Sequence, residues 1–428
     1  MEVIKTQEKS WQKRLSNLLE RTRMIPEEVD ETVREIIQKV KDEGDHALFS
    51  YTKRFDGFDP AIKGICISAE EISEAYSRVD EDITGALKQA AQRIEAFHLH
   101  QKEQSWITAD ESGIILGQKV TPIDRVGIYV PGGKNAFPST VLMNVIPARI
   151  AGVEKITVVS PTPAGEINDT LLGAAYIAGV DRIYCVGGAQ AIAALAYGTA
   201  SIPRVDKVVG PGNIYVAHAK KILMGTIGID SFAGPSEILV IADETADAHM
   251  VAGDLLSQAE HDPLASSMLV TPCESLAKEV LAILDTEKEQ LPRKDVIAQS
   301  LENHGACIIT SDLDEAFVVA NTVAPEHLEL MIKDAYDSLG KVRNAGAIFL
   351  GYCSPEAMGD YIAGPNHTLP TGSTSRFSSP LGVYDFVKRS SLIGFSRDAA
   401  KAIGPLAVTL ARAENLEAHA RSVETRLK

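Results

Sequence analysis

No stretch of this sequence is long and apolar enough to cross a bilayer; the wholly apolar runs are short, such as "ILVIA" at 238–242. The opening residues, "MEVIKTQEKSWQKRLSNLLERTR", are charged throughout and lack the apolar core of a signal peptide. Cysteine is scarce. Cys66, Cys185, Cys273, Cys307 and Cys353 are odd in number, widely spaced and never C-x-x-C, which argues against a disulfide framework. Reduced thiols packed among small or apolar neighbours, in a cytoplasmic protein, are the expectation. Basic charge is also in deficit, 42 Lys+Arg against 58 Asp+Glu, and the net charge of −16 speaks against nucleic acid or an anionic membrane as partner. Disordered composition is missing too: 45% hydrophobic and 23% charged residues are globular, and 428 residues exceed one ordinary core.

What is present changes character along the chain. The first ~110 residues read as helical; "PEEVDETVREIIQKVKDEGDHALFSYTKRFDG" opens at Pro26 and sets Val29, Val33, Ile36, Ile37 and Val40 on one face. "DEDITGALKQAAQRIEAFHLHQKEQSW" is a second amphipathic run, with His98 and His100 expected in solvent. Short β-branched runs then alternate with helices: "RVGIYV", "KITVVS", "RIYCVG" and "DKVVG", followed by "EILVIAD", "SMLVTP", "ACIITS" and "GAIFLG". Such alternation predicts an α/β fold with two Rossmann-like parallel-sheet domains and helical N- and C-terminal segments, the tail being helical after Phe377. A duplication would explain two such series, although no repeat is visible in the residues.

Several segments carry chemistry-bearing residues. Glycine follows the strand ends in "VPGGKN", "VGGAQA" and "VGPGNIYVAHAKK", where backbone can approach a phosphate, but none fits G-x-G-x-x-G. In "DETADAHMVAGDLLSQAEHDP", capped by Asp243 or Thr245 and ended by Pro263, Gln258 and His261 lie about 60° apart on one helical face and Glu260 points away. That pair suits a shared metal or an ordinary surface contact. "NTVAPEHLELMI" puts Glu326 and His327 in the first turn of a predicted helix, whose dipole favours ionised glutamate and neutral histidine. Both are then basic forms, fit for proton abstraction or water activation; a plain helix start is the alternative. "AMGDYIAGPNHTLPTG" is too rich in glycine and proline for a regular element, so Asp360 and His367 fall on a long loop. "FAGPSEILV" sets Ser236 just before a strand without the G-x-S-x-G elbow. Glu414 and His419 in "ENLEAHA" diverge by about 140° on one regular helix, so either the helix breaks or the tail crosses a cleft.

Together these segments resemble histidinol dehydrogenases. The likeness is carried by Ile227, Asp230, "AGPSE" at 233–237 and "AGDLLSQAEH" at 252–261, with "RVGIYVPGG", "VGPGN", "APEHLEL" and "GPNHTLPT" in order over essentially the whole chain. The resemblance implies a homodimer that oxidises L-histidinol to L-histidine with two NAD and one zinc per subunit, in an active site shared between subunits. Zinc would be held by Gln258, His261, Asp360 and His419, the last from the partner subunit. Glu326 and His327 would be the acid/base pair. Tyr129, Gln190 and Asn213 would contact NAD, and Ser236, His367 and Glu414 would position substrate together with His327 and the metal-holding side chains. It further implies a helical segment over 1–24, a discontinuous α/β domain over 25–127 and 237–377 carrying most metal and catalytic residues, an NAD-binding domain over 128–236, and a helical tail over 378–428 reaching the partner. Asn415 stands where the family commonly has glycine, and asparagine tolerates the same left-handed backbone. Rival readings are a relative oxidising another primary alcohol, a zinc hydrolase using Glu326 on water, and a non-catalytic metal binder.

Overall fold

The computed structural model describes residues 1–21, 27–132, 137–231 and 234–428. Pro26, the last three residues of "VPGGKN" and Ala233 of "AGPSE" lie outside these described residues.

Two six-stranded sheets dominate, and they share one topology. In the first, the spatial order is Cys66–Ile67, Ile183–Cys185, Lys155–Ser160, Arg125–Tyr129, Lys207–Val209, Gly228–Ile229, all parallel except the Cys66–Ile67 edge. In the second it is Glu2–Lys5, Ala306–Ile309, Ser266–Thr271, Glu237–Ala242, His327–Met331, Ala347–Leu350, parallel throughout. Leaving aside the edge strand that comes earliest in sequence, each sheet reads third, second, first, fourth, fifth. That is the doubly wound order, with its switch point between first and fourth strands. The eight strands expected from β-branched runs are all present, and the inner ones are buried on both faces, which is why their patterns are continuous rather than alternating. A duplicated topology without a repeated sequence fits this, because packing constrains volume and pattern more tightly than residue identity.

The domain grouping differs from the expected one. Helices Glu27–Glu43 and Asp45–Asp56 bury Val29, Val33, Ile36, Ile37, Val40 and Leu48 against the helices and strands of the first sheet. Ala69–Arg78 and Glu81–Leu99 do the same through Ile72, Leu87 and Ile94. The helices over 27–99 therefore pack with the first sheet, not with 237–377. The N-terminal segment contains a strand, Glu2–Lys5, that extends the second sheet beside Ala306–Ile309, and helix Trp11–Arg21 packs Leu15 and Leu18 there. The tail is not wholly helical: Val387–Phe395 pairs antiparallel with Ile114–Pro122, which also pairs with Trp106–Ala109. The mixed polar and apolar sides of these strands hid them among helical periods. His98 is buried, with Nδ1 bonded to the Ile94 carbonyl at 2.8 Å, while His100 is exposed as expected. Cys66 and Cys353 are exposed and Cys273 half-buried, so only Cys185 and Cys307 show the buried packing expected of all five. No helix among the described residues is long and apolar enough to cross a membrane.

Candidate active site

At the carboxyl edge of the first sheet stand the three residues that the resemblance assigns to NAD, each in or next to one of the glycine turns. Tyr129 ends the central strand, and its hydroxyl accepts the Gly188 N–H at 3.2 Å. Gln190 lies in the first turn of Gly188–Tyr197, buried, its Oε1 without a hydrogen-bond partner among the described residues. Asn213 is exposed and caps Ile214–Leu223 by accepting from Tyr215 and Val216 N–H, both at 3.1 Å. The turn before it is fixed from below. Lys220 Nζ, buried in an ion pair with Asp230, donates to the Gly210 carbonyl at 3.0 Å, and Asp230 accepts the Gly210 N–H at 2.8 Å. Gly210 has φ 108°, and a Cβ there would overlap the Tyr129 carbonyl oxygen. A buried acceptor and helix N-termini gathered at a switch point fit a dinucleotide.

The second cluster sits at the opposite end of its sheet. Glu326 and His327 do not begin a helix. Leu313–Val323 ends with Ala324 in the left-handed region (φ 53°), and His327 is the first residue of a buried strand. The adjacent strand starts at Glu237, so Ser236 and Glu237 face Glu326 and His327 across the amino ends of the first and fourth strands. His327 is therefore kept neutral by burial rather than by a helix dipole, and its pKa is lowered. Its Nδ1 meets the Glu237 carbonyl at 3.0 Å, which assigns the proton to Nδ1 and leaves Nε2 as a bare lone pair. That Nε2 is buried without a hydrogen-bond partner among the described residues, 3.8 Å from Asp360 Oδ1. Glu326 Oε2 accepts the Glu237 N–H at 2.9 Å and lies 3.7 Å from His327 Nδ1. Burial pushes the Glu326 carboxyl well above the usual range, against that one N–H, with Glu237, Asp360 and Glu356 adding like charge. The expectation of a dipole-stabilised, readily ionised Glu326 is corrected accordingly: desolvation favours its protonated form and makes its carboxylate the stronger base.

Beside this pair lies a group of metal-type donors. One ligand atom each of His261, Glu356 and Asp360 falls within 4.8 Å of the others. Helix Ala248–Ala259 starts one residue past its cap Asp247, rather than at Asp243 or Thr245, and ends before Pro263. Gln258 is buried in its last turn, and His261 follows just beyond, its N–H on the Gln258 carbonyl at 3.2 Å. Glu260 caps the helix outside the donor group, as its phase implied. Asp360 is not on an irregular loop: Glu356–Met358 runs into a π-helical turn, Gly359–Ala363, a geometry frequent at functional sites. His367 bridges the two sheets' territories. Its Nδ1 bonds the Asp360 carbonyl at 3.0 Å and its Nε2 lies 3.4 Å from Thr140 Oγ1, at the start of helix Pro138–Ala151. Asn366 to the Met143 carbonyl (2.5 Å) and Asn144 to Thr368 (3.4 Å) tie the same loop to that helix, so the donor cluster borders the first unit.

Of the residues expected at the site, Gln258, His261, Glu326, His327, Asp360 and His367 come together, with Ser236 at the strand start beside them. Glu414 and His419 do not join them within one chain. Both are exposed; Arg397–Ala413 packs on Glu417–Glu424 and on Val387–Phe395, and the break between the two helices falls at Asn415 (φ 61°). The residue overlooked is Glu356. An acid four positions before Asp360 in "PEAMGD" was the available signal, since that spacing shares a helix face.

A prediction follows from the buried acids. Glu326, Glu329 and Glu356 all have raised pKa values from desolvation, Glu329 to about 10 beside Asp254. A raised pKa gives stability that is present below the unfolded value and lost as pH climbs toward the folded one. Protein stripped of metal by a chelator should therefore melt at lower temperature at pH 9.5 than at pH 7. The window is set above His327 and His367, whose lowered values act at more acid pH. A melting temperature that is flat or rises over that range would contradict this account of the cluster.

The chain matches the family model of histidinol dehydrogenase over residues 19–427. It is 53% identical to a histidinol dehydrogenase of Syntrophotalea carbinolica, covering 97% of this chain and 96% of that protein. It is 50% identical to that of Neisseria meningitidis serogroup B over the whole of both chains. The crystal structure of histidinol dehydrogenase from Elizabethkingia anophelis superposes with a TM-score of 0.93 at 38% identity, covering 100% and 98% of the two chains.

Proposed function

The chain belongs to the histidinol dehydrogenase family, and from that premise we propose that it oxidises L-histidinol through L-histidinal to L-histidine, using two NAD and one zinc ion per subunit. The observation that carries this reading is the neutral, buried His327, pinned at Nδ1 with a free Nε2, beside a carboxyl at Glu326 and a cluster of N and O donors.

The residues fit both groups. Gln258, His261 and Asp360 supply nitrogen and oxygen donors of the kind zinc takes, and the surplus of buried carboxyls around them suits a divalent cation. His419 of a second copy would complete the set, with Glu414 of that copy at the substrate. An exposed apolar surface supports a dimer through this region. Ile403, Leu406 and Leu410 lie bare on the tail helix, and Trp106, Ile107, Ile115, Leu116, Ile393 and Phe395 on the three-stranded sheet. Tyr129, Gln190 and Asn213 would hold NAD, Gln190 through its unpartnered Oε1.

When bound, zinc polarises and orients the substrate while NAD accepts a hydride in each half-reaction. His327 Nε2 takes the hydroxyl proton as the alcohol is oxidised, its ring held by the Glu237 carbonyl so that no reorientation is needed. Glu326 takes a proton from water as it adds to the aldehyde; burial makes this carboxylate a stronger base than one in solvent. Ser236 and His367 line the same space and orient the substrate. No cysteine is required, and Cys353, exposed, lies outside the set named here. We place the enzyme in the cytoplasm, acting on a small molecule, with no role for nucleic acid or membrane at a net charge of −16.

Purified protein given L-histidinol, NAD and zinc should form NADH, followed at 340 nm, lose activity on chelation, and sediment as a dimer. Turnover of the substrate without NAD would instead favour a hydrolase.

A further inference from the structure

Beneath the donor cluster, Asp254, Gln258, Glu329 and Glu356 gather. Asp254 and Gln258 lie one turn apart on helix Ala248–Ala259. Asp254 lies beside Glu329, which stands two residues after His327 on its strand, and Glu329 Oε1 accepts the Glu356 backbone N–H at 2.7 Å. Glu356 in turn meets Gln258. With its nitrogen toward Glu356, the Gln258 amide donates to both carboxylate oxygens, at 3.1 and 3.3 Å; the reverse placement would set oxygen against oxygen. Gln258, Glu329 and Glu356 are all no more than 2% exposed, so water cannot readily stand in for these contacts. Through its N–H to Glu329 and its carboxylate to Gln258, Glu356 ties together the three elements that deliver Gln258, His327 and Asp360.

An amide binds a metal through its oxygen, because the nitrogen lone pair is delocalised. A free glutamine side chain presents either end, and a flip costs little. Here the nitrogen is committed. We propose that Glu356 is a positioning residue for the metal: by holding the Gln258 amide nitrogen it leaves only the oxygen to join His261 and Asp360. The inference rests on the metal site proposed above. It assigns Glu356 a task distinct from ligation, although its carboxylate is within reach of the same donors.

The test is zinc affinity of the full-length protein, by competition with a chromophoric chelator, together with the visible spectrum of the cobalt-substituted form. Glu356→Gln retains an oxygen that can accept from Gln258 and should bind zinc within about threefold of the unmodified protein, with an unchanged cobalt spectrum. Glu356→Leu removes the acceptor and should weaken zinc about 10–100-fold, as loss of groups that orient ligands does. If the leucine variant fails to fold, Glu356→Asp, one methylene short of Gln258, should show the same direction of loss. Equal and large losses for Gln and Leu would make Glu356 a ligand and overturn the proposal. Affinities within twofold for folded Leu or Asp variants would overturn it as well. Failure of the unmodified protein to bind zinc, with Asp360→Asn measured beside it, would instead strike at the metal site itself.

Discussion

His327→Asn should lower the rate of NADH formation from L-histidinol by about 10²–10⁴-fold, the range for loss of a general base. The substitution is chosen for what it keeps. An asparagine amide can still donate to the Glu237 carbonyl that now receives Nδ1, so the strand start and its neighbour stay paired. What disappears is Nε2, the buried lone pair without a partner among the described residues. His327 is outside the His261, Glu356 and Asp360 donor group, so zinc content should remain at one per subunit. A loss of under fivefold with zinc retained would remove His327 from proton transfer. A parallel loss of zinc would mean that the variant reports on the metal.

The second large effect separates the two half-reactions. Glu326→Gln preserves an oxygen to accept the Glu237 N–H at the 2.9 Å position but cannot take a proton from water. Oxidation of supplied L-histidinal to L-histidine should fall by about 10²-fold or more, whereas the alcohol step, served by His327, should fall far less. Stopped-flow NADH traces would then show one rapid equivalent followed by a stalled second, with aldehyde trapped by a carbonyl reagent. Equal loss in both halves would contradict the division of labour. The pH profile carries the same assignment: because burial raises the Glu326 pKa, the acid limb of the aldehyde step should lie above the ordinary carboxylate range.

Much of this was legible in the residues, for identifiable reasons. Doubly buried parallel strands such as Lys155–Ser160 and Glu237–Ala242 have continuous apolar runs bounded by turn residues, and these were read with nearly their true bounds. Glu27–Glu43 shows a plain helical period and buries the five residues that the period selects. Asn415 adopts the left-handed backbone that its place in the tail required. What failed was tertiary in origin. "PEHLELM" has a helix-start signature, yet His327–Met331 is a strand in which apolar residues and Glu329 alike are buried, because desolvation keeps the Glu329 carboxyl in its neutral form and its Oε1 accepts the Glu356 N–H. The helices over 27–99 carry no mark of which sheet they cover; only contacts such as Val33 with the first-sheet core decide it. Edge strands Glu2–Lys5 and Val387–Phe395 depend on partners about 300 and 270 residues away, a pairing that local pattern does not encode. Glu356 went unnoticed because it works through Gln258 rather than in a motif of its own.

The central claim is that one site carries an alcohol all the way to an acid. Its most direct test is stoichiometry: limiting L-histidinol incubated with excess NAD and zinc-loaded protein until the reaction ends, with NADH read at 340 nm and the product identified by mass. Two NADH for each L-histidinol consumed, with L-histidine as the product, are expected. One NADH with L-histidinal released as the end product, or no NADH at all, would contradict the claim.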